Sequence, residues 1–208
     1  MILFSSKASP FARKIVLAMY VLDIIRDVKI KIVDPRELQS ENSKYNPLSK
    51  IPTLIVQNEV IHDSNVIIEY LNSLGKKNLL PHDGMERIKF LTDYSIINET
   101  INSAVLVTNC NRFGHLGNSD SILVSQQKKR INRVLKYLEN KEYVYKNFKE
   151  PNAIEISLAC LLDYLDYRKP VEWIEIAPNL GEWIQEFAKS VPGYHETLPP
   201  EVSSAPWR

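Results

Sequence analysis

The chain has 208 residues, 44% hydrophobic and 25% charged, enough for one large core or two small ones. With 26 basic and 25 acidic residues its net charge is +1, which offers no field to attract nucleic acid or an anionic membrane. Cys110 and Cys160 stand far apart in helical stretches, so a disulfide framework is not expected and a reducing, cytoplasmic compartment fits. His62, His82, His115 and His195 form no i, i+4 pair and no cluster with the cysteines, so no metal site is expected. No charged-then-apolar leader opens the chain, and no apolar run approaches the roughly 18 residues of a membrane span.

In chain order, Ile2-Leu3-Phe4 reads as a short strand running into Ser9-Pro10. Residues 10–22 follow with Phe11, Ile15, Ala18, Met19 and Leu22 at helical spacing. "VKIKIV" (28–33) alternates as a strand with one buried face, and "TLIV" (53–56) reads as a central strand after Pro52. "QNEVI" forms a tight hairpin into a strand at 60–62. Asp63-Ser64 then opens an amphipathic helix through Ile67, Leu71 and Leu74, with Gly75 placed to end it. The order β-α-β, a short irregular piece, then β-β-α resembles the thioredoxin-like arrangement with its right-handed crossover.

"LLPHDG" (79–84) is polar and turn-rich and reads as a linker between units at 1–77 and 85–208. Beyond it only helical patterns occur, at 85–112, 120–146, 152–168 and about 179–189. "KKRINR" (128–133) is a solvated face whose helix turns Ile131, Val134, Leu135 and Leu138 inward. "ISLACLLDYL" is apolar nearly all round, the mark of a buried central helix, and Asn152-x-x-Glu155 before it resembles a capping box. The tail "LPPEVSSAPWR" holds too much proline for regular structure and is expected to lie along the surface.

Three motifs carry a resemblance to a known family. "SPFARKI" is similar to Ser-Pro-Phe-x-Arg-Lys-Val of bacterial glutathione S-transferases, with Ser9 where redox relatives of the fold carry the first Cys of Cys-x-x-Cys. "NPLSKIPTL" (46–54) resembles Asn-Pro-Leu-Gly-Lys-Val-Pro-x-Leu, and "DSNVIIEYL" (63–71) resembles Glu/Asp-Ser-x-x-Ile-x-Glu-Tyr-Leu. "NAIEISLACLLDYLDYR" looks like the sixth helix of the bacterial YibF-type branch. On these motifs the chain resembles the glutathione S-transferase superfamily from Met1 to about Pro200. The implied fold is an α/β thioredoxin-like domain followed by an all-α helical bundle. Two departures stand out: Ser49 replaces the usual glycine, and Asn152/Glu155 replace the customary Ser/Thr-x-x-Asp cap.

Each motif residue has a plain reading and a functional one. Ser9 is a good N-cap with Pro10 at N1, and capping alone explains the pair. The resemblance adds that its hydroxyl donates to a bound thiolate, aided by the helix dipole. On that reading the reactive sulfur belongs to bound glutathione, a co-substrate, and the protein needs no cysteine. Pro52 is by default a trans proline opening a strand. The resemblance implies instead a cis proline that turns the Ile51 backbone toward the cysteinyl unit. Asp63 and Ser64 open a helix, and helix starts bind carboxylates, so the pair suits the γ-glutamyl head. Lys50 is either an exposed lysine or a partner of the glycyl carboxylate.

A pocket for a small electrophilic substrate is expected between Phe11 and residues about 102–113, with Asn109, Asn111, Arg112 and Phe113 as candidates. Tyr164, Tyr167, Trp173 and Trp183 read as packing residues, and Cys110 and Cys160 as buried and inert. The resemblance implies a homodimer, with Ile96, Ile97, Ile101 and Val105 as apolar residues of the long helix. The leading expectation is a glutathione transferase that activates the thiol against electrophiles or peroxides. The alternatives are a non-enzymatic protein-interaction module of the same fold and a thiol–disulfide transferase, which Ser9 disfavours because that chemistry uses a cysteine there.

Overall fold

The computed structural model describes residues 1–34, 41–74, 77–113, 121–141, 148 and 150–199. Strand β1 (Ile2–Ser5) leads to helix α1 (Pro10–Val21), and β2 (Lys29–Ile32) returns beside it in parallel. Strands β3 (Thr53–Val56) and β4 (Glu59–His62) form a hairpin, followed by α2 (Ser64–Ser73). The sheet order is β2-β1-β3-β4, parallel between β1 and β2 and antiparallel elsewhere. This is the expected thioredoxin-like mixed sheet.

A helical region follows: α3 (Gly84–Phe113), α4 (Ile122–Glu139), α5 (Ala153–Arg168), α6 (Pro178–Ser190) and α7 (Tyr194–Thr197). Every residue of α5 from Ala153 to Leu165 is buried, as its all-round apolar pattern predicts. The capping box is formed: Asn152 Oδ1 accepts from the amides of Ile154 (2.9 Å) and Glu155 (3.2 Å), and Glu155 Oε2 accepts from the Asn152 amide at 2.9 Å. Among the described residues, no helix is long and apolar enough to cross a membrane.

The linker is anchored at its first two residues. Leu79 and Leu80 are buried, and both their amides donate to Asn72 Oδ1, at 2.8 and 3.1 Å. The Leu79 carbonyl accepts from the amide of Ala153, the first residue of α5. The sheet unit is thereby joined to the central helix through the Asn72 side chain, the Leu79 backbone and the Ala153 amide.

Four expectations change. β2 alternates but buries neither isoleucine: Ile30 and Ile32 are 37% and 60% exposed, because β2 is an edge strand. Ile97 and Ile101 are fully buried and face their own core, while the exposed apolar residues of α3 are Met85, Ile88 and Leu106. Helix α4 stops at Glu139, with Asn140 at its C-cap, short of the expected 146. Pro199, at the start of the tail, is buried rather than spread on the surface. Gly75 and the rest of the tail lie outside the described residues, and Leu74 caps α2.

Candidate functional site

Three loop ends meet at one edge of the sheet. Phe4 of β1 pairs with Thr53 of β3, and Thr53 pairs with His62 of β4, so these residues form one row across three strands. Beyond that row lie the run to Ser9, the Ile51-Pro52 peptide and the Asp63-Ser64 turn. With strands about 4.8 Å apart, the row spans about 10 Å, comparable to an extended tripeptide lying across it. The register thus brings together motif residues that lie between Ser9 and Ser64, far apart in the sequence of the sheet unit.

Ser9 is the N-cap of α1, half-buried, with extended backbone (φ −93°, ψ 120°). Its Oγ accepts from the Ala12 amide at 3.2 Å, and Pro10 occupies the first helical position. Capping uses an oxygen lone pair and leaves the hydroxyl proton free to be donated. Capping and thiolate stabilisation are therefore compatible at one atom.

The Ile51–Pro52 peptide is cis, as the resemblance implies. Its approach is set by two buried asparagines that sequence reading passed over. Asn42 Nδ2 and Asn46 Nδ2 donate to the Lys50 carbonyl at 2.8 and 3.0 Å, and Thr53 Oγ1 donates to the same oxygen at 2.9 Å. The backbone at Lys50 is pinned while its side chain stays exposed. Ser49 keeps the turn that glycine would make, at φ +51°, a left-handed conformation that costs a residue with a Cβ.

Asp63 is the N-cap of α2 in a sparsely populated conformation (φ 55°, ψ 137°), and its Oδ1 accepts from the Asn65 amide at 2.7 Å. Ser64 is the first helical residue and is 5% exposed. Its amide is one of the donors that a helix start leaves without an intrahelical acceptor.

Behind these turns lies a charged layer. Arg13 pairs with Asp163 of α5, and both are buried. Arg13 Nε also donates to Thr197 Oγ1 at 3.2 Å, and Tyr194 Oη donates to Asp163 Oδ1 at 2.8 Å. Lys14, the next residue, is fully buried against Asn65, Asn98 and the Tyr94 ring. Burial pulls its pKa down to about 7, although the charges of Cys160 and Asp63 act the other way. The Cys160 thiol is itself pushed up by burial, against the pull of Arg13 and Lys14, which fits an inert core cysteine.

A small pocket opens beside Ser9, lined by Ala8, Arg13, Cys160, Tyr164 and Pro199 among others. Tyr164 is buried, as a packing residue should be, but it also forms part of this wall. Phe11 is half-buried against the core, and Asn109 and Arg112 share an exposed face of α3. The polar contacts between α1 and α3 run through Lys14 and Asn98, about 16 Å along α3 from Asn109. The Phe113 side chain lies outside the described residues.

The "-RK-" of "SPFARKI" and Asp163 within "ISLACLLDYL" are sequence signals for the charged layer. Two cations in the middle of an otherwise apolar helix must either reach solvent or find buried partners. Which partners they find depends on residues far along the chain.

The chain is similar in sequence and fold to known proteins. Residues 3–78 match the family model of the glutathione S-transferase N-terminal domain. A probable glutathione S-transferase of Glycine max is 27% identical over 172 residues, covering 76% of this chain and 70% of that protein. Among solved structures, a glutathione transferase family member from Pseudomonas fluorescens Pf-5 with bound glutathione has a TM-score of 0.88 and 29% identity, covering 96% of this chain and 98% of that one. A glutathione S-transferase from Methylobacillus flagellatus KT with glutathione bound has a TM-score of 0.84 and 27% identity, covering 95% and 98%. Together these findings support the glutathione S-transferase superfamily.

Proposed function

We propose that this protein is a cytoplasmic glutathione transferase of the bacterial YibF-type branch, which binds reduced glutathione and directs its thiolate at a small electrophilic carbon or a peroxide. The observation that carries this reading is the single row Phe4–Thr53–His62, beyond which Ser9, Ile51-Pro52 and Asp63-Ser64 gather. The Ser64 amide and hydroxyl receive the γ-glutamyl carboxylate, and Asp63 receives the ammonium. The Ile51 N–H and C=O pair with the cysteinyl unit as one rung of an antiparallel ladder. Lys50, exposed beside it, reaches the glycyl carboxylate.

The thiol proton is released to solvent, and Ser9 donates a hydrogen bond from its hydroxyl, keeping its own proton, to the resulting sulfur anion. This favours thiolate over thiol, because a hydrogen bond to the charged form is the stronger one. At carbon, the thiolate attacks, a C–S bond forms, and the leaving group departs with its electron pair. At a peroxide, an S–O bond forms as O–O breaks, and the alkoxide leaves and is protonated by solvent. A second glutathione then reduces the sulfenic acid, giving the disulfide and water. Phe11, Asn109, Arg112 and Phe113 are the candidates to face the electrophile.

Titration calorimetry with reduced glutathione tests the reading. A saturable site is expected, and Ser64→Ala should weaken it by about 1–3 kcal/mol, the cost of unpairing a hydrogen-bonded charged group. No heat from a folded protein at millimolar glutathione rejects it. Binding without turnover on a panel of electrophiles would favour the protein-interaction alternative. The protein is also proposed to be a homodimer, with Val66 of α2 and Met85 and Ile88 of α3 offering exposed apolar surface. Light scattering should return twice the chain's 24.0 kDa.

A further inference from the structure

Lys14 stands on α1 between the proposed glutathione site and the helical region. Its Nζ donates to Asn65 Oδ1 on α2 at 2.9 Å and to Asn98 Oδ1 on α3 at 2.7 Å, and lies 5.0 Å from the centroid of the Tyr94 ring. Among the described residues no carboxylate forms an ion pair with it. An apolar side chain of similar length would fill the same space without the penalty of desolvating an ammonium group.

The acceptors are oriented for this cation. Asn98 Nδ2 donates to the Tyr94 carbonyl at 2.7 Å, which fixes its oxygen toward Lys14. Asn65 is held at both ends: its amide donates to Asp63 Oδ1, and its side chain accepts from Lys14. Asn65 therefore links Asp63 and the first turn of α2 to Lys14 of α1, and Lys14 carries the link on to Asn98 of α3.

We propose that Lys14 is a positioning residue for the glutathione site, which locks the first turn of α2 in place and supplies the counter-charge that a carboxylate bound at Ser64 draws on. This rests on the glutathione reading above. The titratable groups around it are Asp63 at the start of α2, Tyr94 on α3, Cys160 on α5, and Arg13 on its own helix, whose charge is taken up by Asp163. Burial outweighs the help from Cys160 and Asp63 and leaves the ammonium only partly formed near pH 7. The ligand's ammonium is taken up by Asp63, while its carboxylate at Ser64 adds negative charge at the first turn of α2 and draws a proton onto Lys14. Ligand binding thus takes up a proton near neutral pH and weakens as the pH rises.

S-methylglutathione, which has no ionisable thiol, is the probe, titrated by calorimetry from about pH 6 to pH 9. Wild-type affinity should fall about tenfold across that range. Lys14→Met should bind about tenfold more weakly at the acid end and lose the part of the slope that Lys14 contributes, keeping only that of the ligand's own amine. Asn98→Asp sets a carboxylate against the ammonium from outside the proposed ligand contacts, and should move the wild-type fall upward by about one pH unit. Should Lys14→Met fail to fold, the Asn98→Asp shift decides. Wild-type affinity and slope in Lys14→Met, or an unmoved profile in Asn98→Asp, overturns the role of Lys14 and leaves the glutathione reading standing. No binding to folded wild type overturns both.

Discussion

On the side of α1 that meets α5 and α7, Arg13 is matched by a carboxylate, a threonine hydroxyl and the face of Tyr194, whose centroid lies 5.1 Å away. On the side that meets α2 and α3, the very next residue, Lys14, is given two amide oxygens and an aromatic ring. Both cations are buried at the junction of the sheet unit and the helical region. The first contact is a closed ion pair whose charges cancel. The second gives the cation only neutral partners, next to the turn where a carboxylate of the ligand is proposed to bind. A guanidinium stays protonated at any relevant pH, whereas a buried ammonium titrates, so the two residues suit a permanent lock and an adjustable one.

The ion pair is where the largest effect is expected. Asp163→Ala strands a buried guanidinium and leaves Tyr194 Oη without its acceptor. Stability should drop by about 3–5 kcal/mol in urea denaturation. A loss under about 1 kcal/mol would erase the contrast between the two sides of α1.

The pH dependence of stability sharpens the other half. Burial disfavours the Lys14 ammonium, so between about pH 7 and its ordinary 10.5 the unfolded chain binds the extra proton and stability rises with pH. Glu155 behaves oppositely: burial raises its carboxyl from 4.5 to about 7 against the Asn152 amide, so its contribution is full below pH 4.5 and is lost as pH climbs through 7. Lys14→Met should flatten the alkaline rise, and Glu155→Gln, which keeps the capping geometry, should flatten the acid-side fall. Denaturant midpoints from pH 5 to 10 for the three proteins check both signs.

The smallest effect concerns Ser49. Relieving its left-handed backbone with Ser49→Gly should stabilise the protein by about 0.5–1 kcal/mol, with the Asn46 turn unchanged. A destabilised variant would mean that the serine side chain earns its place in that turn.

Much of the fold was legible because its signals are local. Alternation marked the strands, 3.6-residue spacing marked α1, α2 and α4, and Asn152-x-x-Glu155 announced the start of α5 directly ahead of its apolar run. The candidate site was legible in part for the same reason: Ser9, Pro52 and Asp63 sit at element boundaries, where sequence is most constrained by caps and turns. What failed was the inference of which face two of the elements bury. The isoleucines of β2 carry a strand's alternation but lie on an edge, and Ile97 and Ile101 carry an interface-like stripe that the chain's own core consumes.

By itself, then, the sequence determined the order of elements, their caps and the residues at the strand ends, since each depends on contacts within about one turn or one hairpin. Only the tertiary structure decided the partners of the charged layer. Arg13 and Asp163 are 150 positions apart, and Lys14 and Asn98 are 84 apart. Neither pair leaves a periodic trace, because a single buried charge is matched by whatever group packing brings to it. The row Phe4–Thr53–His62 is of the same kind: strand register, set by the pairing of three strands, brings the three motifs to one edge.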